Sequence, residues 1–221
     1  MNCERRSEYG EKIRVLEIEC DKPYKWESGN ATHMRVCMEP CYENRAEMLG
    51  RGFFFADRTL AVSINLASSS VDYNAFVRTE PLLTSQHKDE VLAIARESFF
   101  NDRRFHLAPK PDMALAEAVL ARWVEALDKI YLCRIKEKTI GFLALTGSGN
   151  ERFVHLAAVL ERYRMSGAAL SLYAAAARDC KKSGVRFLNG RVSTENMAVM
   201  NLYSFLGGKF SKPMDVYLKE L

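Results

Sequence analysis

Residues 153–208, FVHLAAVLERYRMSGAALSLYAAAARDCKKSGVRFLNGRVSTENMAVMNLYSFLGG, decide the fold of this chain. Apolar strand patterns alternate there with helical patterns, which predicts this order: strand 153–160, helix 167–184, strand 185–192, helix 196–208 and a last strand at 211–220. Such alternation is typical of a mixed sheet flanked by helices, so the chain is assigned to the α/β (α+β) class.

The residues before this segment predict a small α/β lobe that ends near Leu66, followed by further elements of the second domain. The expected elements are strands at 12–20 and 32–39, a helix at 42–52, strands at 53–66 and 74–80, helices at 86–100 and 114–128, and a strand pair at 130–136 and 139–146. The serine run at 68–70 is the best candidate linker. We therefore expect an N-terminal α/β lobe at 1–75 and a second domain at 76–221.

Composition excludes several classes of protein. The net charge is +4, from 32 basic and 28 acidic residues among 221, which gives no nucleic-acid-binding signature. No apolar run is long enough to cross a bilayer, and the start MNCERRSEYGEK lacks the apolar stretch of a signal peptide. Six cysteines show no paired CxxC spacing, so reduced thiols and no metal are expected. The expected location is the cytoplasm.

The turn between the first strand and the first helix of the deciding segment is rich in small residues. It is Arg164-Met165-Ser166-Gly167-Ala168-Ala169. Backbone amides at such a helix N-terminus suit a pyrophosphate. The alternative is a simple turn that needs Gly167 for its backbone angles and small residues for packing, and it stays open at this point.

A second motif opens the next helix. Asn196 and Tyr203 are seven residues apart, so both lie on one helix face, and Gly207-Gly208 follows. Asn196 could simply cap the helix, and Tyr203 could simply pack its ring. The motif alone leaves both interpretations open.

The two motifs, in this order, resemble those of the GNAT family of acyl-CoA-dependent N-acyltransferases. Arg164, Gly167 and Ala169 match the family's Arg/Gln-x-x-Gly-x-Gly/Ala pattern, whereas Met165 stands where a further glycine is common and predicts a bulkier cradle. The resemblance implies acetyl-CoA as cosubstrate, with no metal and no covalent intermediate. The residues that it implies for binding acetyl-CoA are Ala157, Ala158, Val159, Arg164, Met165, Ser166, Gly167, Ala168, Ala169 and Asn196.

The same resemblance implies a mechanism. The strand ending at Val159 is expected to splay from the strand beginning near Val185, so that free backbone groups pair with the pantetheine arm. Amides near Val159 would polarise the thioester carbonyl, and Tyr203 would donate a proton to the departing thiolate. Tyr203 is thus the expected general acid.

The first half of the chain looks like a narrower group, the bacterial dTDP-fucosamine acetyltransferases and their relatives. The matching residues are Arg104, Phe105 and His106, the later Trp123, the stretch Leu49-Gly50-Arg51-Gly52-Phe53, and Asp57. In that group the N-terminal lobe is a partial copy of the GNAT architecture and an acidic residue draws a proton from the sugar amine through water. The resemblance implies that base role for Asp57, and Arg104, Phe105 and His106 are the candidate acceptor-binding residues. A strand-breaking surface aspartate is the alternative for Asp57.

The sequence therefore favours an N-acetyltransferase that acts on the primary amine of an amino-deoxy sugar nucleotide. Another small-molecule amine or a peptide N-terminus is a second possibility, and a non-catalytic acyl-CoA-binding module is a third. The acceptor, the acyl chain length and the formation of a homodimer stay open.

Other side chains are discounted as catalytic groups. His155 is expected to share a strand face with Phe153, Ala157 and Val159, and a partly buried histidine bonded to backbone is favoured over one facing the acetyl site. His33, His87 and His106 are too dispersed to bind a metal, and Cys133 and Cys180 are small apolar residues with no adjacent base.

Overall fold

The computed structural model describes residues 3–9, 13–68, 78–82, 86–99, 102, 112–125, 127 and 129–221. The strands are β1 (Cys3–Tyr9), β2 (Ile13–Cys20), β3 (His33–Met38), β4 (Phe54–Asn65), β5 (Arg78–Leu82), β6 (Lys129–Ile135), β7 (Lys138–Thr146), β8 (Glu151–Val159), β9 (Phe187–Ser193) and β10 (Lys209–Glu220). The helices are α1 (Tyr42–Gly50), α2 (Gln86–Phe99), α3 (Met113–Glu125), α4 (Ala168–Lys182) and α5 (Met197–Phe205), and a 3-10 helix covers Glu161–Ser166.

Within the described residues the strands form one sheet, in the order β1-β2-β3-β10-β4-β9-β8-β7-β6-β5. The pairs β2–β3 and β8–β9 are parallel, and the other neighbouring pairs are antiparallel. Helices pack against the strands, which confirms the predicted mixed sheet flanked by helices.

The described residues form three apolar cores: a small one joins α1 to β2 and β3, and two larger ones lie on opposite faces of the sheet. On one face, called the α4 side, Leu172 of α4 and Tyr203 of α5 pack with Val62 and Leu188 of the sheet. On the opposite face, called the α2 side, residues of α2 and α3 pack with Phe142 and other strand residues. Along β7, Phe142 and Ala144 therefore pack in the α2-side core, and Leu143 and Leu145 pack in the α4-side core.

Strand β4 belongs to the predicted N-terminal lobe, yet it lies between β9 and β10 of the second segment. It pairs with β9 from Thr59↔Ser193 to Asn65↔Phe187 and with β10 on its other edge. The division at 75/76 stays a prediction, and strands from both predicted segments alternate in one sheet.

The structure differs from some of the predicted secondary-structure elements. Strand β1 was not expected, because its sequence CERRSEY is mostly charged and polar, and it forms one edge of the sheet beside β2. The strand predicted at 74–80 is found from Arg78 onward as part of β5, and residues 69–77 lie outside the described part of the chain. In the described residues no helix has the length and apolar character to span a membrane.

A fully buried carboxylate ties β10 to β4 and α1. Asp215 accepts hydrogen bonds from Arg58 Nε at 2.6 Å and from Arg45 Nη2 at 2.9 Å, and Tyr217 Oη lies 3.3 Å away. Burial alone would raise the pKa of Asp215, but the hydrogen bonds and charges of the two guanidinium groups outweigh it and lower the pKa. Both arginines are partly exposed, so their charges remain solvated on one side.

Candidate functional site

Strands β8 and β9 pair over only three residues before they separate. Their parallel pairs are Glu151↔Phe187, Arg152↔Leu188 and Phe153↔Asn189. Beyond Phe153, β8 stays paired with β7 on one edge, and β9 stays paired with β4. A gap therefore opens between the facing edges of β8 and β9, as the sequence predicts, and backbone groups on those edges are available to a ligand.

A bulge in β8 lies at the narrow end of this gap. Leu145 of β7 pairs with Val154 and Ala144 pairs with Leu156, which leaves His155 as the extra residue. After the bulge, Leu156 packs in the α2-side core, whereas Ala157 and Val159 pack in the α4-side core. The expectation that His155 shares a face with Ala157 and Val159 is therefore wrong, because the extra residue shifts the alternation by one.

His155 lies on the α2 side and contacts α3. Its ring centroid is 5.0 Å from that of Trp123. The side chain is exposed, and the ring has no hydrogen-bond partner in the described part of the chain, so the expected bond to backbone is not present. Partial burial lowers the pKa of His155, the charge of Arg5 lowers it further, and Glu17 opposes the change.

The turn after β8 is a 3-10 helix that ends at Gly167. Gly167 has a φ of 81° and begins α4, and only glycine adopts this left-handed conformation without strain. The first amides of α4 lack partners within the helix, and glycine has no side chain to cap them. The Met165 side chain is 99% exposed, so it does not fill the turn as its bulk suggested.

One polar contact holds the turn to the end of β8, and two more lie within the turn. Arg164 Nε donates to the Val159 carbonyl at 3.4 Å, and Ser166 Oγ donates to the Tyr163 carbonyl at 2.7 Å. Ser166 Oγ also accepts from the Ala168 amide at 3.4 Å. The predicted loop residues are thus together at the wide end of the gap.

Asn196 and Tyr203 have different environments in this structure. Asn196 is exposed and caps α5, since its Oδ1 accepts from the Val199 amide at 3.2 Å. Tyr203 is 2% exposed and packs edge-to-face on Tyr173, with ring centroids 5.2 Å apart. Capping and ring packing therefore both occur, and the roles implied by the resemblance stay predictions.

The Tyr203 hydroxyl lies at the narrow end of the gap, on the α4 side. A Cβ added to Gly190, the first residue of β9 after its last pair with β8, would stand 2.5 Å from Tyr203 Oη. Tyr173 Oη donates to Tyr203 Oη at 3.1 Å, which leaves the Tyr203 proton available to another acceptor. Burial raises the pKa of Tyr203 to about 12, although the Tyr173 hydrogen bond opposes the rise.

Asp57 is buried near the end of β9. It is 6% exposed within β4, and Ser193 Oγ donates to its Oδ1 at 2.7 Å. The alternative of a surface aspartate that breaks a strand is therefore wrong. Asp57 pairs with Val216, which places it on the α2 side together with His155.

Three candidate acceptor-binding residues, Arg104, Phe105 and His106, lie outside the described residues. Within the ranges that the structure describes, no group of three or more His, Cys, Asp or Glu side chains could hold a metal ion.

Sequence reasoning missed two residues of this site. Tyr173 lies on the buried face of α4, and a buried hydroxyl needs a partner, which was the available signal. Ser193 contacts Asp57 across 136 positions of sequence, and no local pattern indicates such a pair.

The comparisons with known proteins agree with this geometry. A model of the acetyltransferase (GNAT) family matches residues 89–207, more than half of the chain. No curated protein sequence matches the chain.

Solved structures with the same fold have low sequence identity to the chain. A conserved protein of unknown function from Staphylococcus epidermidis has a TM-score of 0.67 and 13% identity, over 86% of this chain and 73% of that one. A GCN5-related N-acetyltransferase from Sphaerobacter thermophilus has a TM-score of 0.60 and 12% identity, over 85% and 59% of the two chains. A GCN5-related N-acetyltransferase from Kribbella flavida has a TM-score of 0.60 and 11% identity, over 98% of this chain and 89% of that one.

The contact between Gly190 and Tyr203 predicts a cost for any side chain at position 190. Gly190→Ala should lower the free energy of unfolding by about 1–3 kcal/mol, because a Cβ would overlap the Tyr203 hydroxyl in a packed core. Urea unfolding measures this change.

Gly50→Ala is the matched control, since a Cβ there meets no atom within 4 Å. We expect it to change the stability by less than about 0.5 kcal/mol. Equal stability of the two variants would show that Tyr203 is not held against β9.

Proposed function

This chain belongs to the acetyltransferase (GNAT) family, and from that premise we propose that it transfers an acetyl group from acetyl-CoA to the primary amine of an amino-deoxy sugar nucleotide. The observation that supports the proposal best is the gap between β8 and β9, with Gly167 at its wide end and the Tyr203 hydroxyl at its narrow end. Acetyl-CoA supplies the activated acyl group.

The residues around the gap fit the two halves of coenzyme A. The pantetheine arm would pair with the free edge of β8 at Ala157, Ala158 and Val159, much as an added strand does. The pyrophosphate would lie at the first turn of α4, where Gly167 lacks a side chain, the Ala169 amide has no partner within the helix, and the Ala168 amide donates only a long hydrogen bond of 3.4 Å to Ser166 Oγ.

The exposed side chains of the turn lie beside the proposed pyrophosphate site. Arg164, Met165 and Ser166 line its solvent side, and Arg164 offers a charge to the phosphates. Asn196, at the start of α5, lies on the other side of the gap and would donate its amide to the arm.

Chemically, the site needs an acid for the thiolate and a base for the amine. Tyr203 is the donor, because its hydroxyl lies at the narrow end of the gap and keeps its proton at neutral pH. Backbone amides near Val159 would polarise the carbonyl. Asp57 would take a proton from the arriving ammonium through water, and the hydrogen bond from Ser193 fixes the orientation of its carboxylate.

The proposal of a sugar acceptor rests on two points. The first half of the chain resembles the dTDP-fucosamine acetyltransferases, and Asp57 is buried. Asp57 is 6% exposed, and a buried carboxylate would favour a cationic amine beside it. Arg104, Phe105 and His106 are proposed to hold the nucleotide.

The acceptor is tested with radiolabelled acetyl-CoA and three probes: dTDP-fucosamine, a panel of small amines and a peptide with a free N-terminus. We expect label on the sugar amine alone, and dTDP-fucose, which lacks the amine, serves as the control. Label on another small amine or on the peptide would identify a different acceptor. Coenzyme A binding without transfer to any probe would indicate a non-catalytic binding module.

The turn at Gly167 predicts a specific loss of coenzyme A binding. Gly167→Val should abolish binding, because a β-branched residue at a φ of 81° disrupts the turn and covers the amides. Calorimetry on the folded variant measures the affinity.

Gly184→Val is the matched control, since Gly184 has a similar φ of 77° at the far end of α4 and no atom within 4 Å. It bears the same backbone strain but should bind coenzyme A as the wild type does. Equal affinity in the two variants would remove the phosphate assignment.

The position of Tyr203 predicts a purely chemical defect. Tyr203→Phe keeps the ring and its packing, so kcat should fall by roughly 10²- to 10⁴-fold while acetyl-CoA affinity is retained. Steady-state kinetics and calorimetry give the two quantities. Wild-type turnover in the Phe variant, with chemistry shown to be rate-limiting, would assign the acid to another group.

A further inference from the structure

We propose that Arg35 and Arg191 bind an anionic group of the acceptor, which in an amino-sugar nucleotide is the diphosphate. This inference deepens the proposed function and rests on it. It comes from a guanidinium group of β3 with a buried nitrogen that no described residue satisfies, on the side of the sheet where Asp57 also lies.

Arg35 lies in the middle of β3 with its side chain on the α2 side. It pairs with Leu218 of β10, which packs in the α2-side core, whereas its neighbours Met34 and Val36 pack in the small core beside α1. The Arg35 side chain is only 19% exposed, and its Nε atom is buried without a hydrogen-bond partner in the described residues. A donor that has lost water without gaining a partner favours a ligand that can accept its hydrogen bond.

The neighbouring carboxylate of Glu17 in β2 does not satisfy Arg35. Glu17 Oε1 is 3.8 Å from Arg35 Nη1, which is too far for a hydrogen bond. Glu17 is also the strand partner of Arg5 in β1, so this row of the sheet has two guanidinium groups for one carboxylate. Glu19, two residues along β2, is exposed to solvent. One positive charge of the row is therefore left for an anionic ligand.

Arg191 of β9 approaches the same place from the other side. Its neighbour Val192 packs in the α4-side core, so Arg191 points to the α2 side, where its Nη1 donates to Thr59 Oγ1 at 3.1 Å. Burial raises the pKa of the Cys37 thiol, and the charges of Arg35 and Arg191 both oppose that rise. Cys37 is two residues from Arg35 in β3, so guanidinium groups from both halves of the chain act on one point of the α2 side.

The distance to Asp57 suits an acceptor that carries both an amine and an anionic group. Asp57, Val216 and Cys37 are register partners across β4, β10 and β3. Arg35 is two residues along β3 from Cys37, so standard strand spacings separate the Cα atoms of Arg35 and Asp57 by about 12 Å. The long Arg35 side chain and a water on Asp57 shorten this distance, which leaves room for a sugar ring between the amine and the phosphate.

The curvature of the sheet turns this face toward the gap. Four strands, β3, β10, β4 and β9, separate β2 from β8, yet Arg5 of β1 and Glu17 of β2 both influence the pKa of His155 in β8, after the larger effect of burial. Helix α3 contacts β1 and, through Trp123, also His155. The α2 side is therefore concave, and an acceptor held at Arg35 would extend across it toward the gap.

Calorimetry with dTDP, which carries the diphosphate but no amine, tests the anion site directly. The wild type should bind dTDP, and Arg35→Met should weaken binding by roughly 10- to 100-fold, because the charged hydrogen bonds are lost while the apolar stem is kept. Arg191→Met, at an exposed position where folding should not change, is the second variant and should also weaken binding. Unchanged dTDP affinity in both variants would overturn the proposal.

Arg6→Met is the matched control, since it removes a positive charge from the opposite face of the sheet. The strand partner of Arg6 is Leu16, which packs in the small core, and the Arg6 guanidinium donates to the carbonyls of Glu27 and Ser28. We expect this variant to bind dTDP as the wild type does. An equal loss in Arg6→Met would show that overall charge attracts dTDP, and the site at Arg35 would be wrong.

Steady-state kinetics connect the anion site to the acceptor. With dTDP-fucosamine, Arg35→Met should raise KM by the same roughly 10- to 100-fold and keep kcat and the acetyl-CoA affinity. With the free amino sugar, which has no phosphate, the variant and the wild type should have equal KM. A raised KM for both acceptors would indicate a structural role for Arg35 and overturn the proposal.

The outcomes distinguish this inference from the proposed function. Binding of the carboxylate probe N-acetylglycine in place of dTDP, with loss in Arg35→Met, would keep the anion site and overturn the sugar nucleotide as acceptor. A wild-type protein that binds dTDP through Arg35 but transfers acetyl to no amine would overturn acetyl transfer and keep the anion site. Transfer to dTDP-fucosamine with unchanged KM in both arginine variants would overturn this inference alone.

Discussion

The short pairing between β8 and β9 is the constraint on which the site depends. A continuous parallel pair would satisfy the facing backbone groups and leave no edge for a ligand. Three pairs hold the strands together at one end, and the turn at Gly167 and the start of α5 lie at the other. The Tyr203 hydroxyl and the bulged residue His155 lie where the pairing stops.

Strand β4 makes this separation stable. It pairs with β9 along the whole of that strand, so β9 does not need β8 to satisfy its other edge. Asp215, held by Arg45 and Arg58, joins β4 to β10 and α1, which fixes the far side of β4. Residues of the first half of the chain are therefore part of the sheet beside the gap, and Asp57 of β4 contacts Ser193 of β9.

The sequence predicts the features that depend on local order. The loop at Arg164–Ala169, the helix beginning after Asn196 and the alternation of strands and helices each have a local signal, and the structure has them in the expected places. The bulge at His155 depends on the pairing register with β7, and the position of Asp57 depends on the insertion of β4 between β9 and β10. Both features are determined by contacts between residues that are far apart in the sequence, so no local stretch of the sequence predicts them.

The raised pKa of Tyr203 limits how readily its hydroxyl could give up a proton. A phenol with a pKa of about 12 is a weaker acid than a thiol of about 8.5, so a transfer that leaves a phenolate is uphill by about 5 kcal/mol. The hydrogen bond from Tyr173 stabilises the phenolate and reduces this cost. A phenol buried as deeply as Tyr203 could therefore act as an acid only with such a neighbouring donor to stabilise its anion.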